Sequence, residues 1–396
     1  MDEYLSLGHM QLVPGEGDNS YDNTSNKLIC FLPHHAVFKE SSTTTKTGVV
    51  LDASAKSTAG VSLNDILMVV PTIQQDLLSI ILRFRMHRYV MTADISKMNR
   101  QIRVHPKDYD LKRVLWRRSS DEPLRQYQLV TVTCGTAPAS FLATRCLNQL
   151  ASEEASSYPL AAEVISRDKY VDDLVTGSND LSEAPKLQEE IIHILKKGDF
   201  TLHKWCANHP NLLKGILEQL GKSDISCDFK NYEDIKTLGL VWHPSQDTFK
   251  HEINIRPCRE LVTKRLVLSV ISSIFDPTGL LGPVIVRYKM FIQQLWLRKI
   301  SWDDELPHDL PKTWKKLYRQ LPALNNTSVP RLVKINGEIT TIESHGFCDA
   351  SERAFGACVY VRSGNASGNL HSQLLCSRSR VSPVKKVSIP RLGALW

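Results

Sequence analysis

Two adjacent carboxylates set the tightest limit on what this chain can build. They are Asp172 and Asp173, inside Lys169-Tyr170-Val171-Asp172-Asp173-Leu174-Val175-Thr176-Gly177. Apolar positions alternate on either side and read as strands, which puts the acid pair at the tip of a hairpin. Like charges held that close call for protonation or for a cation beside them. A solvated Asp-Asp turn satisfies these residues as well as a site does. A third acid favours the site, because Tyr89 to Ile95 is a short β-prone run that delivers Asp94 at its end. Three carboxylates on one sheet edge are stable together only around cations, and hard oxygen ligands select magnesium or manganese. Two such ions can activate an attacking hydroxyl and stabilise a leaving oxygen in phosphoryl transfer, chemistry that nucleases and phosphatases share.

The residues after Asp94 are basic: Lys97, Arg100, Arg103 and Lys107 suit polyphosphate or backbone phosphates. The net charge of +7 permits a polyanionic partner without requiring one. With 396 residues, the chain should hold two or three domains. Nine cysteines without a Cys-x-x-Cys pair read as reduced thiols of an intracellular protein and argue against a zinc site. The polar, acidic N-terminus is no signal peptide, and no apolar run reaches the ~20 residues of a membrane span. His34 and His35 are neighbours in sequence, and such neighbours rarely converge on one metal ion.

The rest of the chain reads as α+β, a largely antiparallel sheet with helices beside it. Residues 1 to about 27 read as loop. The polar stretch Lys39 to Thr47 precedes a short strand at Gly48–Leu51, and Ser62–Asp65 reads as a turn or cap. A helix is expected from Pro71 to Met86, and strands at Lys112–Arg117 and Tyr127–Thr133. Gly135-Thr136-Ala137-Pro138 should open a helix to about Glu154, with Phe141, Leu142, Cys146, Leu147 and Leu150 on its apolar face. A further helix is expected at about 182–197, with strands at 200–205 and 237–242. Pro257 to Lys299 reads as two helices broken at Asp276-Pro277-Thr278-Gly279. Trp302 to Pro307 is an acidic turn, and a β-rich run starts at His345.

Ala93-Asp94-Ile95-Ser96-Lys97-Met98-Asn99-Arg100-Gln101-Ile102 and Tyr170-Val171-Asp172-Asp173 resemble the two acidic motifs of reverse transcriptases. Three flanking segments are similar to the Bel/Pao group of long-terminal-repeat retrotransposons: Leu32 to Ser42, Asp52-Ala53-Ser54-Ala55-Lys56, and Ser273 to Pro283. The resemblance covers nearly the whole chain. It implies a right-hand polymerase of fingers, palm and thumb, followed by a truncated ribonuclease H-like α/β segment. It divides the chain into an N-terminal extension (1–40), fingers and palm (41–245), thumb and connection (246–335) and a partial ribonuclease H-like domain (336–396). Asp94, Asp172 and Asp173, with the Ile95 carbonyl, would hold two Mg2+ or Mn2+ ions. Ser96, Lys97, Met98, Asn99 and Gly135 would meet the nucleotide, and the turn from Gly135 to Ser140 would also meet the template. Lys204 matches the proton donor to the pyrophosphate leaving group, although as a lone lysine it fits a solvated strand position equally well. Leu238, Gly239, Leu240, Val241 and Trp242 resemble a primer grip and suit an ordinary core strand equally. The implied partners are an RNA or DNA template with its primer and deoxynucleoside triphosphates, with no membrane. The implied location is the cytoplasm or a retrotransposon particle.

Several positions depart from the family pattern. Asn99 stands where an aromatic residue usually blocks a ribose 2′-hydroxyl, and Gly48 stands where a basic residue usually grips the triphosphate. That basic contact is of a kind worth ~1.5–3 kcal/mol. The order Ala137-Pro138-Ala139-Ser140 differs from the usual Ser-Ala-Pro arrangement. The chemistry is therefore expected to be weakened, and a nucleic-acid-binding remnant without catalysis is the competing expectation. Asn99→Tyr should sharpen discrimination against ribonucleotides, which paired incorporation assays would show; equal selectivity in the two proteins would sink that role. Asp349, in His345-Gly346-Phe347-Cys348-Asp349-Ala350-Ser351, matches the first metal-binding acid of ribonuclease H. The family's next acid follows Ile-Pro-Arg-Leu, where this chain reads Gly393, so ribonuclease H activity is not expected. With no protease or integrase segment visible, the chain is expected to be an excerpt of a longer polyprotein.

Overall fold

The computed structural model describes residues 1–14, 28–38, 47–219, 234–253, 261–307, 309–385 and 387–393. The expected loop at 15–27, the polar stretch at 39–46, the helix start near Pro257 and the terminal Ala394–Trp396 lie outside the described residues. The chain forms two compact units. The first comprises 1–74, 95–172 and 188–202, and the second 75–94, 173–187 and 203–396.

In chain order the elements begin with α1 (Asp2–Ser6), β1 (Met10–Leu12), β2 (His34–Phe38), β3 (Thr47–Leu51) and α2 (Leu63–Ile66). Next are α3 (Leu77–Phe84), β4 (Tyr89–Ile95), β5 (Arg113–Trp116), β6 (Arg125–Leu129), α4 (Ala139–Glu154) and α5 (Pro159–Arg167). Then come β7 (Lys169–Tyr170), β8 (Asp173–Ser178), α6 (Glu183–Lys197), β9 (Leu202–Ala207) and α7 (Asn211–Gln219). After them lie β10 (Ile235–Thr237), β11 (Leu240–His243), β12 (Thr248–Lys250), α8 (Lys264–Ser272), α9 (Gly282–Leu297) and α10 (Leu310–Gln320). The last are β13 (Ser328–Pro330), β14 (Ile339–Ala350), β15 (Ala354–Asn365), β16 (Leu370–Val381) and α11 (Ile389–Gly393).

In the first unit, β1, β6 and β5 form an antiparallel sheet, and β2 pairs with β3 from His34↔Leu51 to Phe38↔Thr47. The N-terminus corrects the loop expectation. Met10 pairs with Leu129 and is buried with Leu32, Leu51, Leu63, Val114 and Tyr127. Asp2 and Glu3 pair with Arg118 and Lys97, so the polar start is tied down by ion pairs that composition alone does not reveal. α4 starts and ends close to its expected bounds but buries a face that shares only Leu147 with the expected one. Ala139, Ala143, Leu147 and Ala151 are buried at four-residue spacing, while Phe141, Leu142, Cys146 and Leu150 are half-exposed. Small residues let α4 approach α5, whose Ala161, Ala162, Val164 and Ile165 are likewise buried.

In the second unit, β8, β4 and β9 lie side by side with β4 in the middle. α3 is shorter than expected: Asp76 caps it by accepting from Ser79 N, and 71–75 is not helical. A second antiparallel sheet runs β10-β11-β12-β13. α8, α9 and α10 enclose a core of Val267, Leu281, Tyr288, Phe291, Trp314 and Leu317. The break between α8 and α9 is where the sequence puts it, with the Asp276 carboxylate accepting from Leu280 N and Leu281 N at 2.9 and 2.8 Å. Burial raises the Asp276 pKa above the usual carboxylate value, against those backbone donors. β14, β15 and β16 form a third antiparallel sheet of long strands.

Candidate functional site

β4 forms where the sequence predicts it and carries Asp94 next to its end, and its register with β8 places Asp94 opposite Asp173. Gly177 allows that approach, since a Cβ there would collide with the Tyr89 carbonyl and press on Val90. β9, on the other edge of β4, supplies Lys204, whose Nζ lies 2.6 Å from Asp94 Oδ2. Within the second unit, then, two carboxylates face each other across neighbouring strands and an ammonium sits on one of them. Lys204 adopts φ +54, rare for a non-glycine residue in a strand.

Asp172 is the last residue of its segment of the first unit. It lies in the two-residue link between β7 and β8, and its carbonyl accepts from Ile95 N at 2.8 Å. Val171 before it has φ +56, an unusual conformation for a β-branched residue. Gln74 holds this bend: its amide donates to Lys169 O at 2.6 Å and accepts from Val171 N at 3.0 Å. Among the described residues, no group of three or more His, Cys, Asp or Glu is disposed to hold a metal ion. Asp94 and Asp173, opposite each other on β4 and β8, suit one hard divalent cation.

Lys169 is buried with its Nζ donating to Asn148 Oδ1 at 2.7 Å, and burial lowers its pKa to about 8. Lys112, donating to Thr131 O at 2.8 Å, is lowered to about 8 for the same reason. Between pH 8 and the ordinary lysine value of 10.5, the unfolded chain keeps protons that the folded one releases. Stability contributed by each lysine therefore rises with pH across that window, and the penalty is complete below it. Lys169→Met should be favoured most near pH 7. Its advantage over wild type should shrink by about 1–3 kcal/mol by pH 10 in urea titrations, and a constant difference would refute the assignment.

Still in the first unit, Ser96 N donates to Thr201 O at 2.9 Å, and Lys97 (φ +51) leads into a short turn of helix at Met98–Gln101, with Met98 buried. Lys97 pairs with Glu3, which holds the Glu3 carboxyl below its usual pKa, and Arg100 lies 4.8 Å from the Tyr4 ring. The basic cluster after Asp94 is thus partly matched from within the chain. Asn99 Nδ2 donates to Cys134 Sγ at 3.0 Å, and its buried Oδ1 has no hydrogen-bond partner among the described residues. Gly135 beside it adopts φ +95, and a Cβ there would lie 2.6 Å from Leu51 O. Asn64 clamps this turn, donating to Gly135 O at 2.9 Å and accepting from Ala137 N at 2.8 Å. A side chain at Gly48 would meet nothing closer than Val37 O at 3.9 Å, so the missing basic residue is not excluded by space.

In the second unit, Leu238 to Trp242 is not one strand. Leu238 and Gly239, at φ +51 and +77, form the tight turn between β10 and β11, as a primed hairpin turn requires. Trp242 is buried, packs edge-on at 5.4 Å against Phe84, and donates from Nε1 to Asp247 Oδ1 at 3.1 Å. Asp247 also takes both arms of the fully buried Arg331, at 2.6 and 2.7 Å. Asp349 stands exposed on β14, accepts from Ala350 N at 2.8 Å, and lines a 360 Å³ cavity with Ser351, Ser377 and Arg378. Gln74, Asn64 and Asp247 were not singled out as site residues from the sequence.

Residues 263–395 match the family described as Pao retrotransposon-like RNaseH-like domain. No curated protein sequence matches the chain. Among solved structures, the fold is similar to a foamy viral protease-reverse transcriptase dRH in complex with ds DNA, at 14% identity and a TM-score of 0.59. It is also similar to the foamy viral protease-reverse transcriptase in complex with an RNA/DNA hybrid, at 15% and 0.57. All of this chain aligns in both cases, yet it spans 57% and 44% of those chains. The α+β fold with an RNase H-like domain accords with that likeness. No helix among the described residues is long and apolar enough to cross a membrane.

Proposed function

We propose that this chain, a region of a Bel/Pao-type retrotransposon polyprotein, is an RNA-directed DNA polymerase that extends a primer on an RNA or DNA template. The observation that carries the reading is the register of Asp94 with Asp173 across β4 and β8, with Lys204 on Asp94. In this reading 41–245 are fingers and palm, 246–335 thumb and connection, and 336–396 a partial ribonuclease H-like domain behind an N-terminal extension at 1–40. Asp94, Asp172 and Asp173, with the Ile95 carbonyl, take two Mg2+ or Mn2+ ions. Ser96, Lys97, Met98, Asn99 and the Gly135 turn receive the deoxynucleoside triphosphate, and the hairpin from Leu238 to Trp242 holds the primer. The work would take place in the cytoplasm or in retrotransposon particles.

Primer extension with magnesium or manganese tests the proposal: extension should occur, stop on chelation of the ion, and be lost in Asp172→Asn. One observation favours a second reading, a nucleic-acid-binding remnant without catalysis. Lys204 already sits on Asp94, so one of the three acids has a cationic partner without an ion. That reading requires salt-sensitive binding of template-primer with no extension in either metal.

A further inference from the structure

α10 is amphipathic in an unbalanced way. One face buries Leu310, Trp314 and Leu317, and the other exposes Lys312, Lys315, Lys316 and Arg319. The spacing i, i+3, i+4, i+7 lines those four cations up on one side of the helix. The helix, Leu310-Pro311-Lys312-Thr313-Trp314-Lys315-Lys316-Leu317-Tyr318-Arg319-Gln320, contains no acid. Among the described residues none of the four has an ion-pair partner, and the acid that precedes the helix, Asp309, is held by both arms of Arg298 at 2.8 Å. Pro311 and Gln320 flank the four side chains on this solvent-open face.

Taken alone, this arrangement works against the helix. Lys312 faces Lys315 and Lys316, and Arg319 faces the same two. Each such like-charge pair costs about 0.2–0.5 kcal/mol. Lys312 also sits in the first turn, where the helix dipole disfavours a cation. A solvated surface helix gains nothing from that pattern, whereas a polyanion laid along the stripe relieves all of it at once. From Lys312 to Arg319 the helix rises about 10 Å, and a duplex strand presents a phosphate about every 3.4 Å of its axis. The stripe therefore matches roughly three successive phosphates of one strand.

We infer that the Lys312-Lys315-Lys316-Arg319 face of α10 is a sequence-independent binding surface for a nucleic-acid backbone. The inference rests on nucleic acid being the partner of this chain, as proposed above. It concerns a surface built without any of the acids, nucleotide-binding residues or primer-grip residues assigned there.

The test measures binding of the purified chain to a fluorescently labelled DNA duplex by anisotropy across a salt series. For each phosphate that the protein no longer neutralises, the slope of log K against log salt should fall by about 0.9. Lys312→Gln/Lys315→Gln/Lys316→Gln/Arg319→Gln should lower the slope by about 2.7, for the three phosphates matched above. Arg298→Gln, whose charge Asp309 already matches, should leave it unchanged. Thermal melts check that the quadruple variant is folded, and relief of repulsion should leave it at least as stable as wild type. A slope retained in the quadruple variant overturns the stripe and leaves the polymerase reading standing. Wild-type protein without salt-dependent duplex binding overturns both. If the four substitutions abolish binding to phosphatidylserine vesicles and leave duplex binding intact, the surface is membrane-directed and the inference fails.

Discussion

Asp173→Asn should abolish primer extension, by roughly a thousandfold or more, and leave the protein slightly more stable than wild type. The activity loss follows from the polymerase reading, in which a carboxylate that helps hold a catalytic ion is worth several kcal/mol at the transition state. The stability gain follows from the fold alone. Asp94 and Asp173 are direct partners across antiparallel strands, and like charges so placed cost roughly 0.2–1 kcal/mol. Lys204 offsets only part of this, because its side chain is 48% exposed and Asp94's is 24% exposed, and such pairs contribute little after screening. Asparagine keeps the shape and removes the charge. Lys204→Met is the converse: it leaves both carboxylates without that ammonium. Magnesium or manganese should then raise its melting temperature more than that of wild type. A large loss of stability in Asp173→Asn would make this residue structural, and equal metal responses in wild type and Lys204→Met would remove the ion from the proposal.

What could be read before the fold was known follows a physical division. β4 was legible because apolar alternation is local, and α8 and α9 because Asp276-Pro277-Thr278-Gly279 interrupts them with turn chemistry. Of the large apolar residues of α4 only Leu147 is buried, because close helix packing selects the small Ala139, Ala143 and Ala151. Leu238 to Trp242 was read as one strand because its composition is β-prone. The turn depends on two positive φ values, and only Gly239 advertises one. Gln74 and Asn64 left no signal at all. Each clasps backbone groups far along the chain, 97 residues away for Gln74 to Val171 and 71 for Asn64 to Gly135. The motif residues can be named from sequence. The side chains that hold their backbone in strained conformations emerge only from tertiary structure.

The same division predicts the most damaging single change outside the acids. Asp247→Ala should cost about 3–5 kcal/mol of stability, far more than a half-exposed aspartate ordinarily carries. Its partner Arg331 is 0% exposed and donates to both Asp247 oxygens, to Phe84 O, and to Arg88 O at 3.4 Å. Arg85, also 0% exposed, lies beside it. Arg85 donates to Arg331 O at 3.1 Å, to Pro330 O at 3.2 Å and to Leu375 O. Desolvation first, and then the neighbouring Arg331 charge, lower the Arg85 pKa to about 10. Arg331 alone is paired with the carboxylate, while Arg85 is held by backbone carbonyls, so removing Asp247 leaves the Arg331 charge uncompensated beside a second buried guanidinium. Trp242 Nε1 and Asn208 Nδ2 lose an acceptor at the same time, which loosens the hairpin proposed to hold the primer. Arg331→Met should also destabilise, but the double variant with Asp247→Ala should cost less than the sum by about 2–3 kcal/mol, because the second change removes the charge that the first strands. Urea unfolding of the four proteins measures that coupling. Additive losses would mean that the pair is not the buried ionic unit the geometry describes.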